Sequence, residues 1–139
     1  MTMKAKAAPL FGAIVLCLCL LTACSGVNQR DALDGSAWVL SSLDGKPPLQ
    51  GSQVTIKFSE GKLSGSSGCN SYSGSYEVKG DKFNTGQMAM TLMACADTGM
   101  MEQEQEFMAT LADASSFELG NGQLRIFRAD GKALVFLPE

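Results

Sequence analysis

The sequence predicts a mainly β (α+β) fold: a small antiparallel barrel or sandwich of about eight strands with one inserted α-helix. Three observations carry that expectation. Short runs with two-residue apolar alternation recur along the chain, and dipeptides such as Asn121-Gly122 and Asp130-Gly131 separate them as hairpin turns. One stretch, residues 99–111, has helical apolar spacing instead. Finally, strands do not alternate with helices as they do in a parallel sheet.

In chain order, Ala37-Trp38-Val39-Leu40 opens the globular part as a strand ending at Leu43-Asp44-Gly45. Lys46-Pro47-Pro48 is a loop, since two prolines cannot feed a sheet ladder. Over residues 53–59, Val54, Ile56 and Phe58 face one way and Thr55, Lys57 and Ser59 the other, the pattern of a half-buried strand. Glu60-Gly61 makes a two-residue hairpin into a strand over residues 62–65. After a glycine- and serine-rich stretch come a strand over residues 75–78, a turn at Lys79-Gly80-Asp81-Lys82, a strand around Phe83 and a further strand over residues 88–94. Asp97 or Thr98 then caps the helix. Met100, Phe107, Met108 and Leu111 share its inner face, Glu102 and Glu106 look outward, and the early acidic residues suit the positive end of the helix dipole. Strands over residues 116–119, 123–128 and 133–137 complete the set.

A chain of 139 residues provides one ordinary domain. Lys4 and Lys6 precede an apolar run over residues 10–21, shorter than the ~20 residues needed to cross a bilayer, so residues 1–23 read as a cleaved export signal. Leu21-Thr22-Ala23-Cys24 resembles a bacterial lipobox, which implies cleavage before Cys24 and acyl chains on that cysteine. An ordinary signal peptide with a cysteine near its cut is the plainer alternative. Several chains would hold durably, because each buried methylene contributes about 0.8 kcal/mol while one chain alone binds marginally. By resemblance to enterobacterial lipoproteins, Ser25 in the next position implies the outer membrane of a Gram-negative host, facing the periplasm. Residues 24–35 read as a tether and residues 36–139 as the domain.

The net charge of −3 and the lack of a long basic run argue against a nucleic-acid partner. The sequence has no histidine, hence none of the commonest general base, zinc ligand and pH switch. Of five cysteines, Cys17 and Cys19 leave with the signal and Cys24 takes lipid. Cys69 and Cys95 remain as an even pair, for which a structural disulfide is the default in an oxidising compartment and a free buried pair the alternative. Closing the loop between them would stabilise the fold by roughly 3–4 kcal/mol in the chain-entropy model.

Several segments are familiar together. Trp38-Val-Leu, Gly65-Ser-Ser-Gly-Cys-Asn-Ser-Tyr-Ser-Gly-Ser-Tyr76, Thr91-Leu-Met-Ala-Cys95 and Met101-Glu-Gln-Glu-Gln-Glu-Phe107 occur in that order. They resemble the META domain family, which includes heat-shock proteins of the HslJ type. The residues that carry the resemblance are Trp38, Gly68, Cys69, Asn70, Tyr72, Gly74, Tyr76, Thr91, Cys95, Glu104 and Phe107. The resemblance implies a secreted or lipid-anchored protein associated with heat shock, antibiotic tolerance or secretion. Its fold would be similar to that of the lipoprotein pilots of secretion pores. It implies no catalytic activity and no cofactor.

Other patterns have bland readings that outweigh their functional ones. Gly65, Gly68 and Gly74 could suggest a phosphate cradle, but a strand rather than a helix follows them and no Gly-Lys-Ser/Thr ends the run. Glycines and Asn70 at a tight bend fit better. Ser59-Glu-Gly-Lys62 has the spacing of serine penicillin-recognising enzymes, yet it sits on a hairpin turn instead of a helix start. Met88, Met90, Met93, Met100, Met101 and Met108 crowd one region, where thioethers with Cys95 could hold Cu(I). Core packing explains them better, and Met88, Met90, Met100, Phe107 and Met108 could alternatively line an apolar-ligand face. Glu104 lies on the apolar side of the helix, so a hydrogen bond to barrel backbone or to the Ser/Tyr-rich loop is expected. Tyr72 and Tyr76 read as rim residues with wet hydroxyls.

The reading is therefore a non-enzymatic, monomeric envelope protein without metal or cofactor. It would be held at the membrane by Cys24 and would act in stress response or antibiotic tolerance by binding an unidentified periplasmic or outer-membrane protein. The alternatives are an apolar-ligand (lipid) carrier, a pilot-like secretion accessory, or a hydrolase inhibitor presenting Lys46-Pro-Pro or the 65–74 loop.

Overall fold

Nearly every strand alternates buried and exposed side chains, so each has one face to hide and backbone groups to pair; closing the sheet on itself does both. A computed structural model describes residues 31–139 and, ahead of them, Thr2 alone. The expected export signal, Cys24 as the expected lipid site, and the expected tether up to residue 30 fall outside the described residues, Thr2 apart. The elements are β1 Ala37–Leu43, β2 Thr55–Ser59, β3 Lys62–Ser66, β4 Ser71–Lys79, β5 Lys82–Met90, α1 Met100–Ala112, β6 Ala114–Gly120, β7 Gln123–Arg128 and β8 Ala133–Pro138. The eight strands pair in sequence order, all antiparallel, and β1 pairs with β8 to close a barrel. The expected fold class is the observed one.

The turns follow their dipeptides. Glu60-Gly61 (φ 52° and 75°), Asn121-Gly122 (53° and 71°) and Asp44-Gly45 (48° and 80°) have two successive positive φ values, the type I′ signature that matches strand twist. Gly131 (φ 88°) ends a longer connection in which its N–H donates to the Arg128 carbonyl at 3.1 Å.

The meander places the hairpins at 60–61, 80–81 and 121–122 at one end of the barrel and the connections 44–54, 67–70 and 91–99 at the other. Residues 31–35 fold over the first end. Leu33 is fully buried, Gly35 N–H donates to the Phe58 carbonyl at 2.8 Å, and Asp34 accepts from Glu60 N–H at 2.8 Å. Residues 31–35, expected to belong to a tether, are therefore packed on the barrel, because Leu33 finds a place in the core. Helix α1 lies across the second end and sends Phe107 and Leu111 inward. Between these two plugs the interior is filled by Phe58, Phe83, Phe136, Ile56, Leu124 and their neighbours.

Three expected boundaries move. The glycine- and serine-rich stretch is largely strand, with β4 starting at Ser71 rather than 75. Bare backbone at Gly65 and Gly74 lets strands approach closely: a Cβ at Gly65 would run into the Thr55 carbonyl, and one at Gly74 would lie 2.7 Å from Met88 Cγ. The strands expected around Phe83 and over 88–94 are a single strand, β5, which ends at Met90; residues 91–99 leave the sheet. The helix is not capped by the side chain of Asp97 or Thr98. Its N-cap is Gly99 at φ 83°, with no side-chain cap bond, and Asp97 contributes only its carbonyl, 3.2 Å from Met100 N.

The wall is uneven at one place. β5 joins β6 through one residue pair, Lys82↔Ser116, supported by Phe117 N–H donating to the Asp81 carbonyl at 2.9 Å. Above that level the two strands diverge to admit α1, and the Thr85 hydroxyl reaches the Leu111 and Ala112 carbonyls at 3.3 and 3.2 Å.

Candidate functional site

The residues carrying the family resemblance converge where α1 meets the 67–70 and 91–99 connections. Glu104, one turn before Phe107 on the inner face of α1, is 1% exposed. Its Oε2 accepts from the Ser67 hydroxyl and from Asn70 N–H at 2.8 Å, and its Oε1 accepts from Asn70 Nδ2 at 2.7 Å. Burial alone would raise the pKa of this carboxyl. The hydrogen bonds from Ser67, from the Asn70 side chain and from the Asn70 and Cys69 backbone outweigh it and hold the pKa below the ordinary glutamate value. The expected bond from Glu104 to the Ser/Tyr-rich loop is present, and it goes to the turn preceding β4.

Asn70 passes the constraint outward. Its Oδ1 accepts from Met93 N–H at 2.7 Å and from the Thr91 hydroxyl at 2.9 Å, and its Nδ2 also approaches the Met93 carbonyl at 3.3 Å. Thr91 Oγ1 in turn accepts from Ser71 N–H at 3.0 Å, while Thr91 N–H donates to the Ser71 carbonyl at 3.0 Å. Cys69 and Cys95 form a disulfide, with Cα atoms 6.1 Å apart. A loop without regular structure is thus fixed by a staple and by one asparagine whose amide groups are all engaged. Gly68 makes the approach possible: its φ is 109°, and a Cβ there would lie 3.1 Å from Met100 Sδ.

The loop presents apolar side chains to water. Leu92 is 90% exposed, Met93 57% and Met90 36%. Gln103, one position before Glu104 on α1, ties down the other neighbouring connection, accepting from Leu49 N–H at 2.6 Å and donating to Ser52 Oγ at 3.0 Å.

The tyrosines are not rim residues. Tyr72 and Tyr76 are 3% and 4% exposed. The Tyr72 hydroxyl donates to the Thr55 carbonyl at 2.8 Å, and its ring meets Phe107 edge-on. The Tyr76 hydroxyl bonds the Asp31 carboxylate at 2.9 and 3.1 Å, and its ring stacks on Phe83. Burial pushes both phenols above their ordinary value, and at Tyr76 the Asp31 carboxylate adds to it. Because β4 begins at Ser71, its alternation turns both rings to the inner face, which the shorter strand expected over residues 75–78 did not reveal for Tyr72. Trp38 is similarly buried, and its indole N–H donates to Ser36 Oγ at 2.7 Å.

Met88, Met90, Met100, Phe107 and Met108, expected as a possible apolar-ligand face, differ in burial. Phe107 is fully buried and Met100 nearly so, Met88 and Met108 pack partly against the core, and Met90 faces solvent. Cys95, committed to the disulfide, offers no thiolate to a soft metal. Among the described residues no group of three or more His, Cys, Asp or Glu is placed to hold a metal ion. Ser59 and Lys62 pair across the Glu60-Gly61 turn as adjacent strand residues, an arrangement that offers no lysine one helical turn above a serine. The 65–74 stretch lies mostly within β3 and β4, with residues 67–70 connecting them. Sequence reasoning missed Ser67, Gln103, Asp31 and Leu33, all polar or isolated positions whose partners lie far along the chain.

The chain is a closed antiparallel meander whose two ends are filled, one of them by a helix. The META domain family model matches residues 31–139, and the chain belongs to that family. Two solution structures are similar to it. One, a protein from Burkholderia xenovorans, shares 29% identity over 77% of this chain and 83% of its own, with a TM-score of 0.64. The other shares 28% identity over 76% and 91%, also at 0.64. The crystal structure of a DUF4847 family protein from Bacteroides vulgatus matches at 14% identity and a TM-score of 0.55 over 77% and 94%, a likeness of fold alone. Among curated proteins none matches.

Proposed function

We propose that this META-family protein is a non-enzymatic, lipid-anchored envelope protein, acting in stress response or antibiotic tolerance by binding another protein in the periplasm. The observation that carries the reading is the loop over residues 91–99. Leu92 and Met93 stand in water although the backbone beneath them is pinned by Asn70 and by the Cys69–Cys95 disulfide. A backbone fixed before a partner arrives loses little entropy on binding, so such a loop is preorganised to present its apolar side chains. Anchoring at Cys24 would attach the chain ahead of residue 31, at the barrel end opposite the loop, and so leave the loop directed away from the bilayer.

The test is crosslinking in cells followed by purification, comparing the lipidated protein with Cys24→Ser and with Leu92→Ser/Met93→Ser. A defined envelope protein should be enriched with the anchored form and lost with both variants. Recovery of lipid alone would move the reading to an apolar-ligand carrier, and turnover of a substrate abolished by one polar substitution would replace it with an enzyme.

A further inference from the structure

We infer that the upper half of β5 is a docking edge for an extended segment of the partner polypeptide, which adds to the sheet as an extra strand. The inference rests on the protein-binding reading above and names how the partner is held.

The register fixes which backbone groups are free. Lys82 pairs with Lys79 on β4 across the two-residue turn, and Asp81 bonds outward to Phe117. Near the other end, Thr91 N–H bonds back to Ser71 on the β4 side, which makes Tyr72↔Met90 and Gly74↔Met88 the non-hydrogen-bonded pairs of that ladder. The N–H and C=O of Met88 and Met90 therefore point away from β4. Beyond Lys82↔Ser116 no strand among the described residues pairs with that side of β5. A slip in register between Gly74/Tyr76 and Thr85/Met88 puts the irregularity below this segment and leaves residues 88–90 straight.

Edges of this kind are usually protected by charge or proline. Here no charged residue and no proline occurs from Phe83 to Ala96. The edge continues into the exposed Met90, Leu92 and Met93. Hydrogen-bonding groups in a row, next to an apolar landing point, match an extended chain with apolar residues at alternate positions. A second copy fits less well. The end of α1 at Thr85 and the register slip at residues 86–87 bound the free segment below, leaving residues 88–90, or roughly 10 Å of strand, far short of the ~1,600 Å² of a stable interface between folded proteins.

The experiment pans a displayed library of random twelve-residue peptides over the full-length protein in detergent micelles and over Met90→Pro, followed by affinities of the selected synthetic peptides. Proline at 90 removes an N–H that β4 does not use, so the variant should melt near the wild-type temperature; Met90→Lys is the second variant should it not. The expected result is selection of peptides with alternating apolar residues, weakened about tenfold by either substitution and by N-methylation of alternate peptide amides. On binding, the Met88 and Met90 amides should gain protection from hydrogen exchange. Binding indifferent to both substitutions, or protection at other amides, overturns the proposal, as does self-association through this edge in sedimentation. If Met90→Pro still captures the crosslinked envelope partner while Leu92→Ser/Met93→Ser does not, protein binding stands and strand addition fails.

Discussion

Glu104 is a buried charge stabilised by hydrogen-bond donors, with no ion-pair partner among the described residues, which makes it sensitive to any change of donor or proton. Glu104→Gln turns one acceptor into an amide facing Asn70 Nδ2 or the Ser67 hydroxyl, and should cost about 2–4 kcal/mol in denaturant unfolding. Asn70→Ala should cost a similar amount, and the double variant less than the sum, because both substitutions break one network. The pH dependence follows from the sign of the shift. The native state holds the Glu104 proton more weakly than the unfolded chain, so this stabilisation is complete above the ordinary value of 4.5 and drains as pH falls through the lower native value. Tyr72 and Tyr76 act at the opposite limit: their native values are raised, so stability is complete below 10.0 and falls as pH rises beyond it. Unfolding midpoints measured from pH 3 to 11 should show both losses, and Glu104→Gln should remove much of the acid one. Thr110 offers an independent check. Its hydroxyl is the buried side-chain polar atom without a partner among the described residues, so Thr110→Val should raise the melting temperature, by about 1 kcal/mol of added stability.

The 91–99 loop and the strands beneath it show how an element's conformation can be dictated from outside it. Its apolar sequence suggests a strand, yet Asn70 and the disulfide take its first half out of the sheet. Reduction, or Cys69→Ser/Cys95→Ser, should lower stability by about 3 kcal/mol through loop entropy alone. It should leave the Thr91 and Met93 amides slow to exchange, because Ser71 and Asn70 still hold them. Gly65→Ala should be costlier than its small volume suggests, about 2–3 kcal/mol, since the opposing atom is the Thr55 backbone carbonyl, which cannot rotate aside. Gly120→Ala, with open space around the added Cβ, is the matched control.

Across the molecule, apolar residues divide into those that hold the barrel and those that stand outside it. Leu92→Ser/Met93→Ser should change stability by no more than about 0.5 kcal/mol, whereas Phe107→Ala should cost about 3–5 kcal/mol. Paired thermal melts test the contrast directly. The barrel walls were readable because alternation in residues such as Val54, Ile56 and Phe58 is itself the statement of an inner face, and because Asn121-Gly122 and Glu60-Gly61 select the turn locally. Much of the candidate site was readable only as a list: Asn70, Thr91, Cys95 and Glu104 could be singled out, but not their bonds to one another.

The sequence by itself determined a one-helix antiparallel β domain, most of its turns, the inward face of Val54, Ile56 and Phe58 and its META resemblance, since these depend on patterns within a few residues. Only the tertiary structure decided that Asn70 and Glu104 form one buried network and that Tyr76 bonds Asp31. It also decided that β5 departs from β6 above Lys82 and that Leu92 stands in water. Each of these is set by partners tens of residues away, where the closing of the barrel determines which donors meet which acceptors and which backbone edge is left without a strand.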